Sequence, residues 1–204
     1  YIETYGCQMN IGDSELLAGA LAERGYLQVS APELADVIVV NTCAIREHAE
    51  QRVLGRIGQL QQARMTRPDV VLAVTGCMAQ RMGGALLEKA SGVDLVAGPD
   101  SYRRIADLVD GIREGGIERG QMLLELDEEE NYEGVPSIRG KGTGAWVTVQ
   151  RGCDHRCTFC IVPYVRGPEK NRNPEEILAE VREATGAGYS EITLLGQTVN
   201  SYRH

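Results

Sequence analysis

VIVVNTCAIRE, residues 37–47, sets four β-branched residues directly against a polar loop that carries a cysteine. An uninterrupted apolar run from Val37 to Val40 reads as a strand buried on both faces, and such strands belong to parallel sheets covered by helices. Val53, Leu54, Ile57 and Leu60 then fall at helical spacing, so the loop leads from strand to helix. The same order recurs on either side. Upstream, Tyr1 to Thr4 forms a short strand that enters YGCQMNIGD. A helix follows through Leu16, Leu17, Ala20 and Leu21, capped by Asp13 or Ser14 and stopped at Gly25. Downstream, Val70 to Val74 runs into TGCMAQ and an apolar face of Leu86, Leu87 and Ala90. Val93 to Ala97 is a fourth strand, and Ser101 caps a helix carrying Ile105, Leu108, Val109 and Ile112. Strand alternates with helix over residues 1–114. The fold class is α/β, an open parallel sheet with right-handed crossovers and helices on both faces.

This order places Cys7, Cys43 and Cys77 at the carboxyl edge of one sheet, where open α/β sheets bind ligands. The three lie 36 and 34 positions apart, so only the fold can bring them together. A single buried cysteine packs as a small hydrophobe. Three, each in a strand-to-helix loop, favour a shared ligand.

A second set is local. In RGCDHRCTFCIVPYVRG, residues 151–167, Cys153, Cys157 and Cys160 make a CxxxCxxC spacing, and a loop that short must wrap around what it binds. Zinc would need a fourth ligand, for which His155 inside the loop is the one candidate nearby. A cubane iron–sulfur cluster on three thiolates keeps one iron open for an exogenous ligand.

The chain has 204 residues, 43% hydrophobic content and a net charge of −8, which is ordinary for a globular protein and argues against a phosphate-binding footprint spread over the whole surface. No charged-then-apolar leader and no run of about eighteen apolar residues is present, so the expectation is a soluble cytoplasmic protein whose six cysteines ligate metal rather than pair as disulfides. Both ends read as cuts in a longer protein. Residues 115–143 form an acidic, glycine-rich linker in which Met122 to Leu126 reads as a short strand. Within it RGKGTG fails as a phosphate loop, because the spacing is wrong and Lys141 is followed by Gly142. From residue 144 to 204, Ala145 to Gln150 is a strand, Asn173 and Pro174 open a helix with Ile177, Leu178 and Val181 inward, and Glu191 to Leu195 is a second strand. That is one βαβ unit with the cysteine loop at the carboxyl end of its first strand. Arg151, Arg156, Arg166, Lys170 and Arg172 surround the loop and make it basic, which would suit an anionic substrate, although such charges are more often a solvated loop.

CxxxCxxC with Phe159 before the last cysteine resembles the signature of radical S-adenosylmethionine enzymes. CIVPYVRGPEKNR, with YGCQMN, NTCAIRE and GCMAQ, resembles methylthiotransferases of the MiaB type. Asn171 stands where that family has a serine. The resemblance implies an N-terminal methylthiotransferase domain over 1–114 and the truncated start of a TIM-like radical barrel over 144–204. It implies two 4Fe-4S clusters, one on Cys7, Cys43 and Cys77 and one on Cys153, Cys157 and Cys160. It further implies S-adenosylmethionine beside Phe159, with Gly196 and Gln197 as contacts to its amino group. The implied reaction adds a methylthio group to isopentenyladenosine beside the tRNA anticodon. Threonylcarbamoyl adenosine or a ribosomal protein is the alternative substrate, and a non-catalytic iron–sulfur or zinc module the alternative class. The expected partners are tRNA and an electron donor protein, the expected state is a monomer, and no membrane is involved.

Overall fold

The computed structural model describes residues 1–44 and 47–204, and their side chains apart from those of 47–49 and 63. Ile45 and Arg46 of the NTCAIRE motif lie outside the described residues. The N-terminal part runs β1 (Ile2–Thr4), α1 (Gln8–Ala22), β2 (Val37–Thr42), α2 (Glu47–Met65), β3 (Val71–Gly76), α3 (Cys77–Met82), α4 (Gly84–Lys89), β4 (Leu95–Ala97), α5 (Tyr102–Arg113) and β5 (Gln121–Leu123). The five strands form one parallel sheet in the order β1-β2-β3-β4-β5. Every residue of β2 and β3 is buried, as their unbroken apolar runs require of a strand covered on both sides.

Two apolar layers cover the sheet. Val37, Val39, Val71, Ala73 and Leu95 face Leu16, Leu17 and Leu21 of α1 and Tyr102, Ile105 and Val109 of α5. Ile38, Val40, Leu72, Val74 and Val96 face Val53, Ile57 and Leu60 of α2 with Met78 and Leu86 of α3 and α4. Alternate side chains of one strand thus feed different layers. The fifth strand comes from the acidic stretch, where β5 pairs with β4.

The C-terminal part runs β6 (Gly144–Thr148), β7 (Gln150–Arg151), α6 (Val162–Arg166), β8 (Lys170–Asn171), α7 (Pro174–Gly186) and β9 (Glu191–Leu195). β6 and β9 pair in parallel around α7, which is the expected βαβ unit. Asn173 caps α7 by accepting from the Glu175 N–H at 2.8 Å, with Pro174 at the first position. β7 and β8 pair antiparallel and close the cysteine loop at its base. Among the described residues, no helix is long and apolar enough to cross a membrane.

Candidate functional site

Cys7, Cys43 and Cys77 lie where β1, β2 and β3 end. Cys7 precedes α1, Cys43 follows Thr42 directly, and Cys77 is the first residue of α3. Buried asparagines stitch these ends together. Asn10 Nδ2 donates to Asn41 Oδ1 at 3.2 Å and to the Thr42 carbonyl at 3.1 Å, while Asn41 Nδ2 donates to the Asn10 carbonyl at 2.8 Å. Thr42 Oγ1 donates to the Thr75 carbonyl at 2.5 Å. The edge that carries the cysteines is therefore fixed by side chains as well as by the ladder. α1 begins at Gln8 and not at Asp13 or Ser14, because Asn10 and Asp13 are buried for polar reasons that a search for apolar spacing passes over.

Glycine sets the approach. Gly6, Gly76 and Gly152 each precede a cysteine, and each has a positive φ. A Cβ on Gly76 would stand 2.5 Å from Asn41 Oδ1, and one on Gly152 would stand 2.7 Å from the Gly167 carbonyl oxygen. The Gly-Cys pairs were legible in the sequence as a signal, since only glycine takes that backbone at such close range.

The three N-terminal cysteines line one cavity of about 280 Å³ with Gln8 and Met9, and its other wall is Ile161, Val162, Val165 and Arg166 of the segment after CxxxCxxC, with Leu195, Gly196 and Gln197 at the end of β9. A hydrogen bond with Cys43 pulls the Cys7 thiol down to about 5 against its burial, helped by the Asn10 and Met9 backbone and by the charge of Arg166. Burial pushes the Cys77 thiol up, and Arg166 opposes that. The second set is less gathered. Cys157 and Cys160 share a pocket of about 250 Å³ with Arg156, Thr158, Pro163 and Tyr164. Cys153 is buried, and its Sγ lies 3.2 Å from Thr198 Oγ1. Among the described residues, no three His, Cys, Asp or Glu side chains stand close enough together to hold a metal ion.

The cavity nonetheless suits a thiolate-held group. Three thiols, one of them already acidic, share it with a guanidinium, and closely set thiolates are what iron–sulfur clusters take as ligands. Gln197 Oε1 is buried without a hydrogen-bond partner and Gly196 is packed within 3.1 Å of where its side chain would begin, so this turn offers an acceptor and close backbone. Phe159 is 91% exposed and lines neither cavity. His155 is exposed on the loop.

The basic residues around the loop do not form an open anionic-substrate site. Arg151 and Arg166 are buried on Asp13 at 2.9 and 2.6 Å, Lys170 is buried on Asp100 at 2.7 Å, and Arg172 pairs with Glu180 at 2.6 Å. Of the five, Arg156 alone is exposed. Burial pushes the Asp13 carboxyl up, but the two guanidiniums outweigh it and hold the group below the usual carboxylate range. Arg151 also lies over the Tyr132 ring at 4.8 Å, in a stack that Tyr132 forms with Tyr102 at 5.4 Å. Sequence reasoning missed this network because acid and base come from opposite ends of the chain.

A cysteine-edged α/β sheet thus shares a cavity with the segment following CxxxCxxC, and each of these two halves matches a known family model. Residues 1–98 match the family described as "Uncharacterized protein family UPF0004", and residues 147–204 match "Radical SAM superfamily". Together the two matches and the relatives below make the chain similar to the MiaB-type methylthiotransferases. It is 43% identical over 99% of its length to tRNA-2-methylthio-N(6)-dimethylallyladenosine synthase from Chloroherpeton thalassium, covering 44% of that protein. The protein of the same name from Amoebophilus asiaticus is 45% identical over 100% of the chain, with 42% of the relative covered. The chain thus spans under half the length of these relatives. A solved radical S-adenosylmethionine methyltransferase, TsrM from Kitasatospora setae, superposes with a TM-score of 0.60 at 15% identity, over 93% of this chain and 45% of the other, which is a likeness of fold.

Proposed function

We propose that the protein is the N-terminal part of a radical S-adenosylmethionine enzyme that adds a methylthio group to N6-dimethylallyladenosine in tRNA, the nucleoside named for its relatives. The observation that carries the reading is the shared cavity, one wall of which is Cys7, Cys43 and Cys77 and the other the segment next to the CxxxCxxC loop. Cys7, Cys43 and Cys77 would hold one 4Fe-4S cluster and Cys153, Cys157 and Cys160 a second, with Phe159, Gly196 and Gln197 toward S-adenosylmethionine. When bound, these groups supply reductive cleavage of S-adenosylmethionine and the sulfur to be transferred. The chain's own part is placement. Ile161, Val162, Val165 and Leu195 give the cavity an apolar wall, the stitched strand ends fix the three N-terminal thiols, and Gln197 offers an acceptor to an amino group. A cytoplasmic location, an electron donor protein and a monomeric state belong to the same reading.

The test is iron and sulfide content after anaerobic reconstitution, for the protein and for a Cys7→Ala, Cys43→Ala, Cys77→Ala variant. Two cubane clusters in the parent and one in the variant are expected. Equal iron in both, or zinc in place of iron, sinks the reading.

A further inference from the structure

We propose that Arg166 is a positioning residue for the N-terminal cysteine set, holding Cys77 Sγ from the far side of the cavity and favouring the more negative charge state of the group that the three thiolates carry. The inference rests on the two-cluster reading above. Arg166 closes α6, six residues after Cys160, and is 3% exposed. Its Nε donates to Cys77 Sγ at 3.3 Å, across 89 positions of sequence. Nη2 donates to Asp13 Oδ2 at 2.6 Å, and Nη1 is buried with no hydrogen-bond partner. One guanidinium therefore joins the acid that anchors it to the thiol that it orients, and it keeps a third donor beside the cavity.

Charge accounting points the same way. Asp13 is shared by Arg151 and Arg166, while Lys170 has Asp100 to itself, so this buried network carries one positive charge in excess. An unmatched buried cation is costly. The excess is met if the thiolates of the adjoining cavity, with what they hold, are negative. Arg151 reaches the Pro99 carbonyl and the tyrosine stack instead, so Arg166 is the member of the pair that faces the cysteines. Hydrogen bonds to sulfur are among the levers that set cluster potentials. A donated N–H with a positive charge behind it stabilises the state that has gained an electron, and so raises the potential.

The measurement is the midpoint potential of the N-terminal cluster by redox titration followed with electron paramagnetic resonance. The protein carries Cys153→Ala, Cys157→Ala and Cys160→Ala, so that one cluster remains, and iron content is read first. Arg166→Lys keeps a cation near Asp13 but loses the fork that reaches Cys77, and Arg151→Lys is the control on the same acid. The expected result is a potential more negative by at least about 59 mV in Arg166→Lys, the equivalent of a tenfold change for a one-electron couple, with Arg151→Lys unmoved. No shift in Arg166→Lys, or an equal shift in both variants, overturns the proposal. Loss of iron from Arg166→Lys alone with unchanged circular dichroism supports it; if Arg166→Lys unfolds, Arg166→Gln is read by the same potentials. A parent that holds no iron refutes the two-cluster reading itself, and the proposal with it.

Discussion

A methyl group on Gly76 has no room. Its φ is +93°, and the added carbon would stand 2.5 Å from Asn41 Oδ1, nearer still to the Thr42 carbonyl oxygen. Both neighbours are fixed, one in the β2–β3 ladder and one in the asparagine pair, so neither yields cheaply. Gly76→Ala is expected to destabilise the fold by ~1–3 kcal/mol from the backbone conformation alone, measured by urea unfolding, and also to displace Cys77. A variant with wild-type stability would mean that the turn adapts and that the Gly-Cys pairing is incidental. The same residue-scale argument explains what the sequence disclosed about the cysteines. Their positions after strands were readable from β-branched runs, and three of the six had a glycine in front. Their partners were not readable, because Arg166 reaches Cys77 across 89 positions and no local pattern records such a contact.

At the scale of elements, the longer strands and α7 were legible because each carries its own pattern, whereas the two-residue β8 was not read and β5 falls on Gln121–Leu123 rather than Met122 to Leu126. β9 falls on Glu191–Leu195 as read, and α7 starts at Pro174 behind the Asn173 cap. α1 was half legible. Its apolar spacing begins at Leu16, while its first two turns are buried around Asn10 and Asp13, whose roles are polar and long-range. α6 was missed, being a five-residue helix that owes its place to the cysteine loop before it. α1 also carries a titratable side chain in an awkward position. Burial, opposed by Arg139 at 3.6 Å and reinforced by Glu180, pushes Glu15 up to about 7 from an ordinary 4.5. A carboxyl raised in the folded state keeps its proton where the unfolded chain has released it, so its contribution to stability falls as pH rises from 4.5 to 7. Glu15→Gln removes that loss. Urea unfolding is expected to find the variant more stable than wild type at pH 8, with the advantage gone by pH 4.5; an advantage that does not vary with pH would mean that Glu15 is not the group responsible.

At the scale of the whole molecule, every buried ion pair among the described residues that joins the five-stranded sheet to the β6–β9 unit has its acid on the first and its base on the second. Asp13 meets Arg151 and Arg166, and Asp100 meets Lys170. That polarity makes the two parts complementary and leaves Asp13 as the shared point of attachment, with Tyr102 donating to it as well at 3.2 Å. Asp13→Asn keeps the shape and removes the charge, leaving two buried guanidiniums without their acid, a loss on the order of 3–5 kcal/mol. Because both guanidiniums belong to the second part, the loss falls on the junction rather than on either core. Thermal unfolding followed by circular dichroism and by Trp146 fluorescence is expected to give one coincident transition in the wild type. In Asp13→Asn, the Trp146 signal from β6 should be lost at a lower temperature than the helical signal of the sheet domain. Acid should act on the wild type in the same way. The folded-state pKa of Asp13 lies below its ordinary 3.8, so its contribution is complete above that value and disappears as pH falls through the depressed one. Coincident transitions in the variant at an unchanged midpoint would mean that apolar packing of α1 against β6 alone joins the two parts, and that the buried acid is not what brings the cysteine edge up against the CxxxCxxC segment.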